Sequence, residues 1–230
     1  MAEFVLRWFH YLGGITWIGL LYYFNFVQGP FMAEADPGAK STATQKLVPR
    51  ALAWFRGGAI VTFLTGILII SKRIGESPLG AAAWSTPWAI TILTGALFGT
   101  LMFFNVVWVI WPKQQIVIAS AKAAASGGQA NAAAPVAARR AFLASRTNVV
   151  FSIPMLFFMG AASHFTLPGG GNHALYWATV IGVAALLEVN ALTATTGTTT
   201  KPIEKIPGVI VTGFVVWAVV YALARAFLSP

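Results

Sequence analysis

The chain has 230 residues, of which 57% are hydrophobic, 9% are charged and 22 are glycine, with a mean hydropathy of +0.74. Soluble domains carry roughly 25% charged residues, so this composition excludes a water-soluble globular protein and a disordered one, and reads as an all-α, polytopic integral membrane protein. Cysteine is absent, which excludes disulfides, zinc thiolate sites, cysteine-ligated iron–sulfur clusters, covalently attached c-type haem and thiol nucleophiles. The net charge of +9 is the surplus that cytoplasmic loops of membrane proteins carry, and is not read as a nucleic-acid footprint.

A spanning helix needs about 20 mostly apolar residues. Six stretches qualify: 4–26, 53–70, 88–111, 148–165, 174–192 and 209–227. The first is too long for a signal peptide and lacks a small-residue cleavage pattern. Proline and glycine mark the joints, at Gly29-Pro30, Ser77-Pro78, Thr86-Pro87, Pro168-Gly169 and Pro207-Gly208. The longest loop, 112–147, opens with an Ala-rich stretch suited to a helix lying on the membrane. It continues through a flexible Ser-Gly-Gly-Gln-Ala-Asn linker at 126–131 towards Arg139, Arg140 and Arg146.

Basic residues set the orientation. The loops after the first, third and fifth spans hold Lys40, Lys46, Arg50, Lys113, Lys122, Arg139, Arg140, Arg146, Lys201 and Lys205, against Arg7, Lys72, Arg73 and Arg225 opposite. The richer side is cytoplasmic by the positive-inside rule. A single transmembrane domain over 1–230, in a bacterial inner membrane with both termini periplasmic, is the expectation.

Ionisable groups inside spans are expensive, so each is a functional candidate. His10 lies about 9 Å below the outer boundary of the first span, and His164 about 2 Å below that of the fourth, at about 1.5 Å per residue. Two histidines near one face, on different helices, can supply the two axial imidazoles of a haem b, which needs no cysteine. Gly14 and Gly160 each lie four residues from one of these histidines, on the same helix face and one turn deeper. Bare backbone there leaves room for a flat macrocycle; close helix packing is the plainer account. Trp17 shares the face of His10 and Gly14, as a pocket wall or as core. Arg7, one turn before His10, suits a carboxylate of the macrocycle or snorkels to headgroups. His173, at the mouth of the fifth span, is an alternative iron ligand or a solvent-exposed histidine.

A second polar set falls in the inner half. Glu188 is the only acid well inside a span, and Arg56 is its expected partner by depth, with Asn105 nearby. A structural ion pair is one account, and a small-molecule or quinone site facing the cytoplasm is the other. Trp84, Trp88, Trp108, Trp111, Tyr176 and Trp177 fall at span ends, where aromatic belts are expected. Walker A, Rossmann, HExxH, GxSxG and CxxCH motifs are all missing from the sequence.

Residues 7–19, RWFHYLGGITWIG, and 145–160, SRTNVVFSIPMLFFMG, with Ser163-His164, carry a resemblance. They resemble the urate oxidase N-terminal-domain family, the membrane part of PuuD-type urate hydroxylases. The His-then-Trp-x-Gly pattern of the first span is more loosely similar to small haem-b membrane proteins such as HemJ-type protoporphyrinogen oxidases. The resemblance implies a membrane redox role. Full-length urate hydroxylases continue into a cytochrome c domain, whereas this sequence stops at Pro230 without CxxCH, so a separate periplasmic cytochrome c or a larger complex is the expected electron acceptor.

Three functions follow as expectations. The first is a haem-b electron-transfer protein, or a subunit of a respiratory or photosynthetic complex. The second is an oxidoreductase of the urate hydroxylase type. The third is a cofactor-free accessory subunit. A transporter is disfavoured, because no inverted repeat is evident.

Overall fold

The computed structural model describes residues 1–229, and among them there is helix and loop but no strand. Six long helices follow one another: α1 (Ala2–Tyr22), α2 (Pro37–Gly75), α3 (Pro87–Ala125), α4 (Ala134–His164), α5 (His173–Thr193) and α6 (Ile206–Leu228). Every expected span falls on one of them. Helices α2 to α6 are long and apolar enough to cross a membrane. Helix α1 carries Arg7, His10 and several aromatic and glycine residues, and falls outside that set of five.

Four helices, α1 to α4, run well beyond the expected spans. Gly29-Pro30 does not end the first: a π-helical turn, Tyr23–Gln28, carries it into a short helix, Gly29–Glu34. Similar π-helical turns occupy Ala43–Leu47 in α2 and Asn105–Ile110 in α3. Each is followed within two residues by a proline, at Pro30, Pro49 and Pro112. Proline lacks an N–H and its ring crowds the carbonyl four residues back. The preceding turn widens to i→i+5 bonding and the helix continues. The segment expected as loop 112–147 is therefore mostly helix, and only 126–133 separates α3 from α4. The stretch expected to lie on the membrane is instead a direct extension of α3. At 39 residues each, α2 and α3 are about 58 Å long, against about 30 Å of hydrocarbon.

Glycines set the closest crossings. A Cβ on Gly13 would stand 2.7 Å from Thr62 Oγ1 and 3.1 Å from the Gly58 carbonyl, so α1 and α2 meet backbone to backbone. Gly95 does the same for α3 against the Met155 and Met159 backbone of α4, and Gly213 for α6 against Val150 and Ile153 of α4. Small residues at such crossings are how membrane helices gain van der Waals contact. Helix α4 is the hub. Its most apolar stretch is 67% buried, against 22% for α5 and for α6.

Polar side chains tie the helices together. Tyr22 and Ser152 join α1 to α4 at 2.9 Å, and Thr94 and Tyr176 join α3 to α5 at 2.8 Å. At the base, Arg140 donates to the Ala191 and Ala194 carbonyls at the end of α5, and Arg139 reaches Glu204 at 2.5 Å. These arginines thus join α4 to the α5–α6 connection, a structural task in addition to any topological one. The α4–α5 loop is pinned to the end of α6: Asn172 N–H donates to the Phe227 carbonyl at 2.7 Å. Gly171 (φ +70°) makes the turn, where a Cβ would lie 2.1 Å from that same carbonyl.

Candidate functional site

The α1–α2 pair packs closely within itself and more loosely against α3 and α4. The gap holds three neighbouring cavities, of about 320, 80 and 360 Å³, and His10 lines all three. The two larger ones fall within the range of cofactor pockets, about 300–1,000 Å³. Met159 of α4 also lines all three. The third cavity opens sideways past Tyr11, Ile15 and Leu156, which are 65%, 73% and 46% exposed.

His10 is held by α2. A Cβ on Gly66 would lie 3.1 Å from His10 Cε1, so this glycine admits the ring against the helix. His10 Nδ1 lies 3.1 Å from Thr65 Oγ1. The Thr65 hydroxyl also lies 2.6 Å from the Val61 carbonyl of its own helix. When that hydroxyl gives its one hydrogen to Val61, Oγ1 accepts from His10, Nδ1 carries the proton and Nε2 keeps its lone pair. Metal-ligating histidines are oriented in this way, one nitrogen donating and the other free.

The adjacent glycines of α1 have different tasks. Gly13 packs on α2, whereas a Cβ on Gly14 or on Gly160 would meet nothing within 4 Å. Gly14 lines the third cavity and Gly160 the first. Trp17 is 2% exposed, lines the second and third cavities, and has no hydrogen-bond partner for its indole N–H. Arg7 lines the first cavity, with its guanidinium bound to Glu3 at 2.7 Å.

The other histidines lie elsewhere. His164 ends α4 in an exposed position, and the wall of the first cavity there is formed by Gly160 and Ser163. His173 begins α5, half-buried, with Nε2 3.1 Å from the Gly169 carbonyl, and lines none of the three cavities. Sequence reading missed Met155, Met159 and Arg73 as cavity residues and Thr65 as the partner of His10. Gly66, Ile70 and Arg73 share one face of α2 at helical spacing, a pattern visible in the sequence once His10 is placed beside that helix.

At the other end of the bundle, Asn105 and Glu188 do meet: Asn105 Nδ2 donates to Glu188 Oε2 at 3.0 Å and to Asn148 Oδ1 at 2.9 Å. The expected Arg56–Glu188 ion pair does not form. Arg56 instead stacks over Trp111, 4.6 Å from its ring centroid, with Nε unpartnered. The Asn105 amide partners the Glu188 carboxyl at this depth without burying a second charge, and the guanidinium finds an aromatic face nearer the helix extensions. Asn148 also donates to the Met102 carbonyl at 3.0 Å, at the start of the π-helical turn of α3. Backbone loosened inside a membrane needs such a partner. A smaller cavity of about 120 Å³ lies nearby, lined by Asn25, Gln28, Gln114 and Ser145.

No curated protein and no solved structure matches the chain. Residues 79–223 match the family described as urate oxidase N-terminal. The match takes in α3, α4, α5 and most of α6, including the segment 145–160 and His164, while α1 and α2 lie before it. It covers well over half of the chain, and the protein belongs to the urate oxidase N-terminal family.

Proposed function

We propose that the protein is a membrane redox protein that holds haem b in the cleft between α1–α2 and α3–α4, with His10 as an axial ligand. The observation that carries this is the placement of His10, which lines all three cavities with Nδ1 3.1 Å from Thr65 Oγ1, a contact that suits an imidazole ligating through Nε2. Open space at Gly14 and Gly160, the apolar walls and the orphaned Trp17 indole fit a flat, mostly apolar macrocycle with a few acceptor atoms. On α4, Met159 on the cavity wall would offer the group a second ligand, and His164, at the exposed helix end beyond the cavity lining, is the alternative. Such a group supplies one-electron chemistry. This chain orients it, keeps water away and offers the electron at the outer face to a periplasmic cytochrome c or a larger complex.

In this reading α1 is a sixth span and both termini lie outside, in a bacterial inner membrane. The test is a reduced-minus-oxidised spectrum of protein expressed with haem available. A b-type band that vanishes in His10→Ala supports the reading. A colourless, folded protein rejects it and favours the accessory-subunit alternative. A sulfur-ligation signature lost in Met159→Ala assigns the second ligand to Met159, whereas a bis-imidazole signature lost in His164→Ala assigns it to His164.

Family membership favours a second reading, urate oxidation with a separate cytochrome c as acceptor. The first cavity, with His10, Arg7 and Arg73 on its walls, suits a planar anion. Urate-dependent reduction of cytochrome c by membranes containing the protein is the expected activity, and none across a panel of acceptors removes this reading.

A further inference from the structure

The outer end of the first cavity carries a cation that no other residue explains. Arg73 lies on the last turn of α2, and its guanidinium carbon sits 4.1 Å from the Trp88 ring centroid. Both residues line the cavity that His10 lines. Arg7 is paired with Glu3, and Lys72 with Glu76. Arg73 has no carboxylate or hydrogen-bond partner among the described residues. Stacking occupies the guanidinium face and leaves the in-plane N–H donors free, arranged to meet a carboxylate two at a time. The register along α2 sets the reach. Gly66 stands level with the His10 ring, and Arg73 lies seven residues on, about 10 Å further towards the outer end. That is comparable to the reach from the centre of a macrocycle to the tip of a short carboxylate arm.

We infer that Arg73, held flat on Trp88, is the anion-binding residue of the His10 cavity and takes a planar anion there, a carboxylate of the macrocycle in the first instance. This rests on the haem reading above. It assigns the anion to Arg73 rather than to Arg7, which Glu3 already neutralises. The free urate anion offers similar chemistry, and the test separates the two.

The experiment titrates the full chain in nanodiscs with haem b and with its dimethyl ester, following the b-type spectrum. Wild type, Arg73→Gln, Arg73→Lys and Arg7→Gln are compared. Wild type is expected to bind the free acid about tenfold more tightly than the ester. Arg73→Gln removes that preference by weakening the acid alone, Arg73→Lys restores part of it, and Arg7→Gln leaves most of it. Arg73 is exposed, so its substitution leaves the fold intact, which unchanged thermal unfolding checks. An Arg73→Gln protein that keeps the full preference overturns the inference. Wild type that binds neither haem form overturns the haem reading. Urate titration by tryptophan fluorescence then decides Arg73: binding lost in Arg73→Gln supports its anion role, and no Arg73-dependent binding overturns that as well.

Discussion

Asn105 joins three helices through one amide, donating from α3 to Asn148 of α4 at 2.9 Å and to Glu188 of α5 at 3.0 Å. Asn105 and Asn148 are 1% and 0% exposed. Replacing Asn105 with Leu strands the Glu188 carboxyl and the Asn148 carbonyl oxygen. A buried group left unpaired costs about 1–3 kcal/mol, while interhelical hydrogen bonds in membranes average about 0.6 kcal/mol. Asn105→Leu is therefore expected to lower stability by about 1–2 kcal/mol, read by thermal unfolding in detergent. Adding Glu188→Gln should recover part of the loss, since a neutral amide is cheaper to leave unpaired. Equal stability of Asn105→Leu and wild type would show that the link carries no energy.

Thr65 gives a prediction that separates orientation from folding. Thr65→Val keeps the shape but removes the oxygen that accepts from His10 Nδ1. Outer-shell partners of ligating histidines typically change affinity about 10–100-fold. The expected result is weaker haem retention and an altered spectrum with unchanged unfolding temperature, while Thr65→Ser retains the native spectrum. A Thr65→Val spectrum identical to wild type removes the tautomer argument.

The neighbouring glycines of α1 should respond in opposite ways. Gly13→Val places side-chain atoms inside the 2.7 Å space before Thr62 Oγ1 and forces α1 off α2. Overpacking of this kind costs about 1–3 kcal/mol. Gly14→Ala meets no atom within 4 Å and should leave unfolding unchanged while taking space from the cavity. Scanning fluorimetry of both variants reads the contrast directly.

Glu204 provides a pH dependence outside the membrane spans. The hydrogen bond from Arg139, helped by that of Thr200, holds its carboxyl below the usual carboxylate range. A folded-state value lower than the unfolded one gives stability that is present above the unfolded pKa and lost as pH falls through the folded one. Hydrogen exchange across 194–205 should therefore rise on acidification below the carboxylate range, and Glu204→Gln should show the faster exchange already at neutral pH.

The absence of native cysteine makes orientation directly measurable. Ser126→Cys, at the end of α3, is expected to react with an impermeant thiol reagent only after cells are opened. Gly170→Cys, in the α4–α5 loop, is expected to react in intact cells. The reverse pattern inverts the topology.

The helices were legible because 20-residue apolar runs separated by proline and glycine leave few alternatives to membrane helices. Their ends were not. Gly29-Pro30 and Pro112 read as stops, yet the chain absorbs each proline in a wider helical turn, a solution set by the backbone rather than by composition. His10 and Gly14 were legible through the 3.6-residue period. Thr65 and Arg73 were not, since their role depends on which face of α2 meets α1, and that is set by the Gly13–Gly58 contact. The Arg56–Glu188 expectation matched depth but ignored helix rotation. The two residues lie on helices that do not bring these faces together, and the Asn105 amide takes the place of the guanidinium at Glu188.

The sideways opening past Tyr11, Ile15 and Leu156 has a kinetic consequence. With α1 as a span, a molecule entering there comes from the bilayer, by diffusion in two dimensions. Its effective concentration is then moles per area of leaflet, and an apparent Kd measured in micelles will scale with the amount of detergent or lipid present. Occupancy in a cell will follow how the molecule partitions between water and membrane as much as how well the cleft holds it.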